Sequence, residues 1–372
     1  MNWIRKISVT GVGSTLWLAS FMGGPMLAAA DTAVLPKGNG YIQPGVVFYL
    51  HNPPGNISTV GQNLDFARDP SQFSSFARFG TGVQVDLDYK VRAKVWTPSL
   101  AFGLTDSVTL AVVVPIFAKA EIQIKRFKVT DSGGSDLTAT AQQTLAGAGY
   151  MDPDGTAPIH PINSWSDSGL GDVAVGMRWQ FMKRQTVASA LTVAVQLPTG
   201  KTEDPDLLTD FGLGDGQTDV HTQMDIDWET RPGGLFNASM GYQLQLPAER
   251  DVRPFLGQRE RARFDLGDIF SVGTEVQETF FQWFPVTLSY QYQKKFKDSY
   301  RGAGTQDLSS LEAQTAGNNH VLGVSVGVSS ILPFIGKQFP YPFSVRAAFR
   351  ETFSDNTNFD NQQVELSATA FF

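Results

Sequence analysis

The chain lacks three features that would each point to a particular architecture. There is no cysteine among its 372 residues, which excludes a disulfide framework and a lipid-anchored N-terminal cysteine. Charged residues make up only 17 %, against roughly 25 % in typical soluble domains. Beyond the N-terminal region the longest apolar run covers 110–118, far short of the ~20 residues that a membrane-spanning helix needs. Beyond the N-terminal region, any membrane-spanning structure must therefore be made of strands.

Positive charge and histidine are also scarce. The formal net charge is −7 with histidine neutral, and this acidic balance argues against nucleic acid as a partner. No two histidines stand at the i, i+4 spacing of a metal pair, and no cysteine can join them. We therefore predict no metal site, no cofactor and no covalent active site. The four histidines are His51, His160, His221 and His320.

The N-terminal region has the three parts of a secretory signal peptide. Arg5 and Lys6 provide a basic start, and residues 7–27 are uncharged with an apolar centre. Three alanines at 28–30 then precede Asp31, the first acidic residue of the chain. A basic start, an apolar middle and a small-residue end together predict export.

An uncleaved membrane anchor is the alternative to a signal peptide. The Gly-Gly-Pro sequence at 23–25 interrupts the apolar run, and no positive cluster follows as a stop-transfer signal requires. We therefore predict cleavage after Ala30. The expected organisation is a signal peptide over 1–30, a periplasmic N-terminal extension over 31–41 and a transmembrane domain over 42–372.

Alternation of apolar and polar residues dominates the rest of the sequence and is clearest at 79–96. Successive side chains of a strand point to opposite faces, so this segment has one apolar and one charged face. We expect the apolar face to meet lipid and the charged face to meet the lumen. The apolar set is Val83, Val85, Leu87, Tyr89, Val91, Ala93 and Val95. The polar set is Gln84, Asp86, Asp88, Lys90, Arg92 and Lys94.

The same alternation predicts twelve strands, joined by connections that are alternately short and mostly long. Short turns at one end and long loops at the other are typical of a transmembrane barrel. The predicted fold is all-β: a transmembrane antiparallel up-and-down β-barrel of about twelve strands, of the outer-membrane type, with both termini on the periplasmic side. The predicted strands are 42–51, 79–103, 108–117, 169–181, 187–198, 217–228, 235–247, 263–278, 284–296, 319–330, 341–352 and 362–372.

Aromatic residues and the last strand support this fold. Aromatic side chains cluster beside the proposed short turns, as expected at a membrane–water interface; among them are Trp179, Phe181, Trp228, Phe280, Phe281, Phe284, Tyr341 and Phe372. The alternating end from Val364 to Phe372 resembles the signal that the outer-membrane barrel assembly machinery reads, although it could be the last strand of any β-protein. We therefore expect the assembly machinery and outer-membrane lipids as partners, and an outer-membrane location.

Three short motifs occur in a characteristic order. Ser-Gly-Leu-Gly-Asp at 168–172 opens one strand, Leu-Pro-Thr-Gly at 197–200 follows the next, and Gly-Leu-Gly-Asp-Gly-Gln-Thr-Asp occupies 212–219. This order resembles the outer-membrane transporter family named for the meta pathway of phenol degradation, with the likeness covering roughly 95–350. The resemblance implies a barrel that passes aromatic or other hydrophobic compounds. It assigns no binding residue.

The charged residues predicted to face inward are the best functional candidates. Such residues set the field and ion preference of a pore, but mixed charges can equally pair with each other and brace the wall. Both interpretations stay open at this point. The candidate lumen-lining residues are Asp86, Asp88, Lys90, Arg92, Lys94, Arg178, Asp225, Asp227, Glu275, Arg346, Arg350 and, beside these, Glu365.

Three further segments could carry chemistry. The acidic segment 203–219 could bind calcium, but it lacks the spacing of a helix–loop–helix site, so solvated loop acids are the favoured interpretation; its acids are Glu203, Asp204, Asp206, Asp210, Asp215 and Asp219. His221 could activate a serine in a lipid hydrolase, although a structural histidine facing the lumen is favoured. The long connection 118–168 could fold into the pore or form a receptor surface.

The leading hypothesis is passive transport of small, hydrophobic or aromatic, solutes. One alternative is a structural or surface-binding barrel with a plugged lumen. The other is an outer-membrane hydrolase, which the absence of a supporting local motif disfavours.

Overall fold

The structure is a computed structural model of the whole chain. It describes residues 32–51, 84–131, 133–145, 163–205, 207, 210–231, 233–255, 258–302, 308–312, 315–354 and 361–372. The predicted signal peptide and its cleavage site lie outside the described residues.

Antiparallel strands account for most of the described chain, in agreement with the predicted fold class. The strands are β1 (Gly40–Gln43), β2 (Gly45–His51), β3 (Gln84–Trp96), β4 (Ser99–Thr105), β5 (Val108–Val113), β6 (Ile116–Thr130), β7 (Trp165–Leu170), β8 (Val173–Lys183), β9 (Val187–Leu197), β10 (Asp219–Arg231), β11 (Gly234–Gln245), β12 (Ala248–Phe255), β13 (Gln258–Asp265), β14 (Ile269–Phe280), β15 (Phe284–Lys295), β16 (Ser299–Gly302), β17 (Gly317–Ser329), β18 (Phe343–Ser354) and β19 (Asn361–Phe371). The described residues also include three short helices, α1 (Thr138–Leu145), α2 (Ser309–Glu312) and α3 (Ile331–Ile335). Within the described residues, no helix is both long and apolar enough to span a membrane.

Sixteen of these strands form one sheet that closes on itself. Closure occurs where β19 pairs with both β1 and β2, so the first and last strands are neighbours. The pairs β1–β2, β3–β4, β5–β6 and β7–β8 each continue one barrel strand across a short break. The molecule is therefore a closed barrel of twelve antiparallel strands, as the sequence predicted.

The four breaks lie side by side at one level of the wall. Pro44, Pro98 and Pro115 interrupt three neighbouring barrel strands, because proline has no amide hydrogen to donate to the ladder. Single backbone hydrogen bonds bridge the level: Thr97 donates to Gly45, Val114 to Pro98, and Gly171 to Pro115. The wall formed by β1–β8 thus consists of two stacked parts, whereas β9, β10 and β11 run without a break.

The outside of the barrel is apolar. A sheet in lipid cannot keep free edges, and closure together with an apolar outer face is what a membrane-spanning barrel requires. The predicted aromatic residues named above are exposed at the end with the turns 106–107, 184–186 and 281–283, hereafter the short-turn end. Exposed apolar side chains on the outer face include Leu100, Phe102, Val175, Met177, Met224, Ile226, Met240, Leu244, Val272, Val276, Leu288, Val324, Val326, Val345, Phe349, Val364 and Leu366.

The connection predicted over 118–168 is partly regular structure. β6 continues to Thr130, α1 follows, and β7 returns to pair with β6. The alternation that extends β6 is present in the sequence, since Ile122 and Val129 are buried on its inner face. Strands β3 and β6 therefore extend well beyond the apolar band, at the opposite, long-loop end.

The face assignment predicted for the 79–96 segment is wrong where the structure describes its side chains. Val91, Ala93 and Val95 are buried on the inner face, whereas Arg92 and Lys94 are exposed on the outer face. The physical reason is the height of this segment: above the apolar band the outside is aqueous, and the inside is filled by packed protein. Alternation of apolar and polar residues identifies a strand but does not show which of its two faces is buried.

A small additional sheet lies at the long-loop end. β12, β13 and β16 pair in that order. Leu308, just before α2, and Leu311 of α2 pack against this sheet. Arg250 crosses this sheet, with its guanidinium 4.5 Å from the ring centre of Phe264 and its Nη2 donating to the Tyr300 hydroxyl at 2.9 Å. The long loops are thus partly folded units.

Candidate functional site: the barrel lumen

One strand supplies a continuous polar wall to the lumen. The inner face of β10 carries Asp219, His221, Gln223, Asp225 and Asp227, all of them buried, and its outer face is mostly apolar. The strand alternates strictly, so every second residue of β10 faces inward. Polar side chains in this position define a hydrated or hydrogen-bonded interior.

A buried ion pair lies at the centre of this wall. Arg178 of β8 donates through Nε to Thr192 Oγ1 at 2.8 Å and through Nη2 to Asp225 Oδ2 at 3.3 Å. Gln223 donates to the other Asp225 oxygen at 2.6 Å. Asn237 of β11 donates to Asp227 at 2.7 Å. Hydrogen bonds from several strands compensate the burial of these charges and fix their positions.

The segment 32–39 lies against this wall from the inside. The backbone N–H and the hydroxyl of Thr32 both donate to Asp227 Oδ2, at 2.8 and 2.7 Å. The Gln180 side chain donates to the Thr32 carbonyl at 3.0 Å, and the Leu35 N–H donates to Thr109 Oγ1 at 2.7 Å. The N-terminal segment, predicted as a periplasmic extension, therefore occupies the lumen near the short-turn end.

A glycine makes room for this segment. The carbonyls of Leu35 and Pro36 approach the Gly103 Cα so closely that a side chain there would overlap both. Gly38 in turn donates to the Gly103 carbonyl at 2.9 Å. The segment is thus held by specific contacts along its length.

A second charged group lies on the opposite wall. Arg350 of β18 donates to Glu365 of β19 at 2.9 Å, and both side chains are mostly buried. Glu275 of β14, the ladder partner of the inward-facing Asn237, and Arg346 of β18 also face the lumen. Charges of both signs therefore face each other across the lumen.

The structure separates the candidate lumen-lining residues into two sets. The inward set is Arg178, Asp225, Asp227, Glu275, Arg346, Arg350 and Glu365. Lys90, Arg92 and Lys94 instead lie on the outer face of β3, and the side chains of Asp86 and Asp88 lie outside the described residues. The inward partners that the sequence analysis missed are Thr32, Thr192 and Asn237. The sequence could have indicated Thr192 and Asn237, because both lie on the polar face of an alternating strand.

The inner face at the long-loop end is apolar. Phe211 and Leu213 of the 198–218 connection reach into the barrel and pack on inward side chains of the first barrel strands. Trp165 lies 5.0 Å from Phe211 between ring centres. We call this surface the apolar inner wall. Its buried members on the strands are Val47, Tyr49, Tyr89, Val91, Ala93, Val95, Phe117, Ala120 and Ile122.

The acidic segment is less solvated than the sequence suggested. Burial and the nearby carboxylate of Asp172 raise the pKa of Asp215 to about 7, and burial raises the pKa of Asp210 to about 7. Asp219 belongs to β10 and is fully buried. Within the described part of the chain, no group of three or more His, Cys, Asp or Glu residues is arranged to hold a metal ion. Asp206 lies outside the described residues.

His221 lies inside the barrel and not at the lipid interface. Its neighbours across the sheet are Ala194 of β9 and Gln243 of β11, so neither is a serine. A hydrolase that acts at the membrane surface needs a serine beside this base. The position of His221 therefore does not favour the hydrolase alternative.

A closed barrel with an apolar outer face and a charged interior defines the class of membrane-spanning β-barrels. A scan of known protein families finds no matching family, and no curated protein matches the sequence. Among solved structures, the chain is similar to an outer-membrane channel from Pseudomonas putida F1. The two share 14 % identity with a TM-score of 0.56, over 92 % of this chain and 98 % of that chain.

Two further structures align over most of the chain but are more distant. One is the CymD monoaromatic hydrocarbon channel, at 8 % identity and a TM-score of 0.40 over 95 % of this chain and 96 % of that chain. The other is a Pseudomonas aeruginosa FadL homologue, at 9 % identity and a TM-score of 0.39 over 94 % of both chains. The Pseudomonas putida structure shows a shared fold. The other two have TM-scores below 0.5, which do not show a shared fold.

Proposed function

We propose that this protein is an outer-membrane channel that admits small hydrophobic solutes, aromatic compounds among them, by passive diffusion. The observation that carries this proposal is the apolar inner wall. Phe211 and Leu213 cover this wall, so a solute enters by taking the place of their side chains. Hydrophobic solutes can replace such contacts, whereas sugars and ions would lose their hydration there. The motifs at 168–172, 197–200 and 212–219 support the same substrate class through their resemblance to the phenol meta-pathway transporter family.

The polar wall and the N-terminal segment complete the proposed path. A solute that leaves the apolar inner wall towards the short-turn end meets Arg178, Asp225 and the 32–39 segment. Arg178 is bonded to Asp225, and Thr32 of the segment is bonded to Asp227, so these groups narrow the passage for hydrophilic solutes and ions. Passage towards the periplasm then depends on displacement of the 32–39 segment.

The same segment supports the second candidate, a barrel whose lumen stays plugged. Thr32, Leu35 and Gly38 each contribute a backbone hydrogen bond that holds the segment inside. If these contacts persist, the barrel serves a structural or surface-binding role.

Solute uptake into proteoliposomes tests the two candidates. Wild-type protein should admit small aromatic acids faster than sugars or amino acids of similar mass, and a plugged barrel should admit none of them. The Phe211→Asn variant should reduce aromatic uptake, because a polar amide then replaces a ring in the apolar inner wall. The matched control is Phe349→Asn on the outer face. Equal uptake of aromatic acids and sugars in the wild type would contradict the proposal.

The outer-membrane location is tested independently by separating the inner and outer membranes and finding which of them contains the protein.

A further inference from the structure

Basic side chains cluster on the outer face of the barrel, just above the apolar band. Lys90, Arg92 and Lys94 of β3 and Lys119 of β6 form this group, which we call the basic patch. The side chain of Arg92 is 47 % exposed and that of Lys119 is 57 % exposed. They face away from the lumen, so the transport path leaves them without a role.

The basic patch begins at the upper edge of the apolar band. On this side the band starts at Leu104, and Trp96 is its last apolar member on the strand. With a rise of ~3.3 Å per residue and a tilt of ~40°, a band ~25 Å tall that begins at Leu104 ends close to Lys94. The Lys94 ammonium lies 5.8 Å from the ring centre of Phe48 and 5.4 Å from that of Trp96. Lys94 therefore marks the boundary between hydrocarbon and head groups.

Charge is only partly balanced within the patch. Glu121 is its one acidic neighbour among these paired positions, lying 2.5 Å from Lys119 and 3.9 Å from Arg92. Lys94 and Lys119 are direct partners in the β3–β6 ladder, an arrangement of like charges that is destabilising without an added anion. Four bases against one acid leave a net positive charge at the level of the lipid head groups.

The corresponding outer surface on the far wall has a different character. There Tyr290 and Tyr292 flank His320, with ring-centre distances of 6.1 and 5.4 Å. Lys294 stands near them over the Phe296 ring. The outer surface there is mainly aromatic, so it differs in character from the basic patch on β3 and β6.

We propose that the basic patch binds the phosphate groups of lipopolysaccharide in the outer leaflet. Lysine and arginine side chains next to a membrane attract anionic head groups, and an arginine between two lysines presents several donors to phosphate oxygens. This inference rests on the outer-membrane location proposed above but not on the transported solute.

Binding of purified lipopolysaccharide to the folded, full-length mature protein in nanodiscs tests the proposal. The triple variant Arg92→Gln, Lys94→Gln, Lys119→Gln removes three bases from the patch. Each neutralised base should weaken binding about fivefold, so the triple variant should bind about a hundredfold more weakly than wild type. The matched control is Lys183→Gln, Arg184→Gln, Lys337→Gln, which removes three exposed bases at the short-turn end and should bind as wild type does.

Binding experiments with two other lipids identify the chemical group that the patch recognises. Lipopolysaccharide stripped of its phosphates should bind wild-type protein as weakly as intact lipopolysaccharide binds the triple variant. Phosphatidylglycerol in place of lipopolysaccharide should bind the triple variant only several-fold more weakly than wild type, because each of its head groups carries a single charge whereas lipopolysaccharide carries several phosphates. The proposal is overturned if both triple variants weaken binding equally, if phosphate removal has no effect, or if phosphatidylglycerol reproduces the full difference.

Folding and location are measured on the same samples. Heat-modifiable migration should be the same for wild type and both variants, since all six substituted side chains are exposed. If the protein fractionates with the inner membrane, the proposed function fails. If it fractionates with the outer membrane and the triple variant still binds normally, this inference alone fails.

Discussion

Gly40 and Phe372 join the two ends of the barrel wall. The Gly40 N–H donates to the Phe372 carbonyl at 2.8 Å, and the Phe372 N–H donates to the Gly40 carbonyl at 2.9 Å. The Phe372 ring also covers the Gly40 Cα, so that a Cβ on Gly40 would lie 2.6 Å from the ring. Gly40 and the Phe372 ring therefore form a contact that closes the barrel, although the two residues are far apart in the sequence.

Substitutions at this contact should lower assembly and should interact. Gly40→Ala forces the Phe372 ring away, and Phe372→Ala removes ring contacts, so each should reduce the heat-modifiable folded fraction. The Gly40→Ala penalty should shrink in the Phe372→Ala background, because the overlapping ring is then absent, with a coupling of about 0.5–3 kcal/mol. Strictly additive effects in a double-mutant cycle would argue against direct contact. Polar residues appended after Phe372 should lower assembly as well.

The reversed facing of β3 gives a second prediction. Val91→Asp places an unpaired carboxylate in the apolar inner wall and should lower the free energy of unfolding by about 3 kcal/mol or more. Lys90→Asp, its neighbour on the outer face, should change the free energy by much less. Urea titrations of the refolded protein in micelles provide the measurement. Equal losses in both variants would mean that the two faces of β3 are not distinguished as described.

The tether between Thr32 and Asp227 gives a third prediction. Thr32→Val keeps the shape of the side chain but removes the hydroxyl that donates to the carboxylate. A hydrogen bond to a charged group contributes about 1.5–3 kcal/mol, so the released population should rise about tenfold or more. Single-channel recordings should show more frequent or longer openings. The control is Thr222→Val on the outer face of β10, the strand that carries Asp227. This substitution should leave the recordings unchanged.

The buried acids of the 198–218 connection give a prediction of pH dependence. The pKa values of Asp210 and Asp215 are raised to about 7 in the folded protein, above the ordinary 3.8. Their protonated forms stabilise the packed loop, so this stabilisation is full below about pH 4 and is lost as the pH rises through 7. The packing of Phe211 and Leu213 should therefore loosen between pH 6 and 8.

A single spin label can follow this transition, because the chain has no native cysteine. A label on Leu207→Cys should become more mobile between pH 6 and 8. In the Asp210→Asn, Asp215→Asn background its mobility should be nearly independent of pH. Asp131→Asn is the control, since hydrogen bonds from Ser135 lower the pKa of that exposed carboxyl. An unchanged transition in the double variant would exclude these two acids as its cause.

The fold was predictable because alternation continues through nearly all the strands. For β8, β10, β11 and β15 the apolar set does face outward, as the sequence indicated. For β3 it faces inward, since this strand rises above the band and packs on Phe211 and Leu213. Which face meets water depends on height relative to the membrane, and that is set by tertiary structure.

The lumen was less predictable than the wall. Arg178 and Asp225 were recognisable as charged residues on the polar faces of their strands, but their pairing depends on strand register. Thr32 belongs to a short segment without alternation, so nothing in its sequence indicated a bond to Asp227. Contacts of this kind come from the closed geometry of the barrel and not from any local pattern.

The aligned breaks at Pro44, Pro98 and Pro115 make the barrel elastically uneven. A continuous hydrogen-bonded ladder resists bending along the strands, whereas a level bridged by single bonds bends more readily. The cross-section above that level can therefore fluctuate on the β1–β8 side while the β9–β11 side stays stiff. Amide exchange measured strand by strand should therefore vary around the circumference of the barrel. Exchange should be fastest in the residues on either side of the three prolines and slowest in β9, β10 and β11.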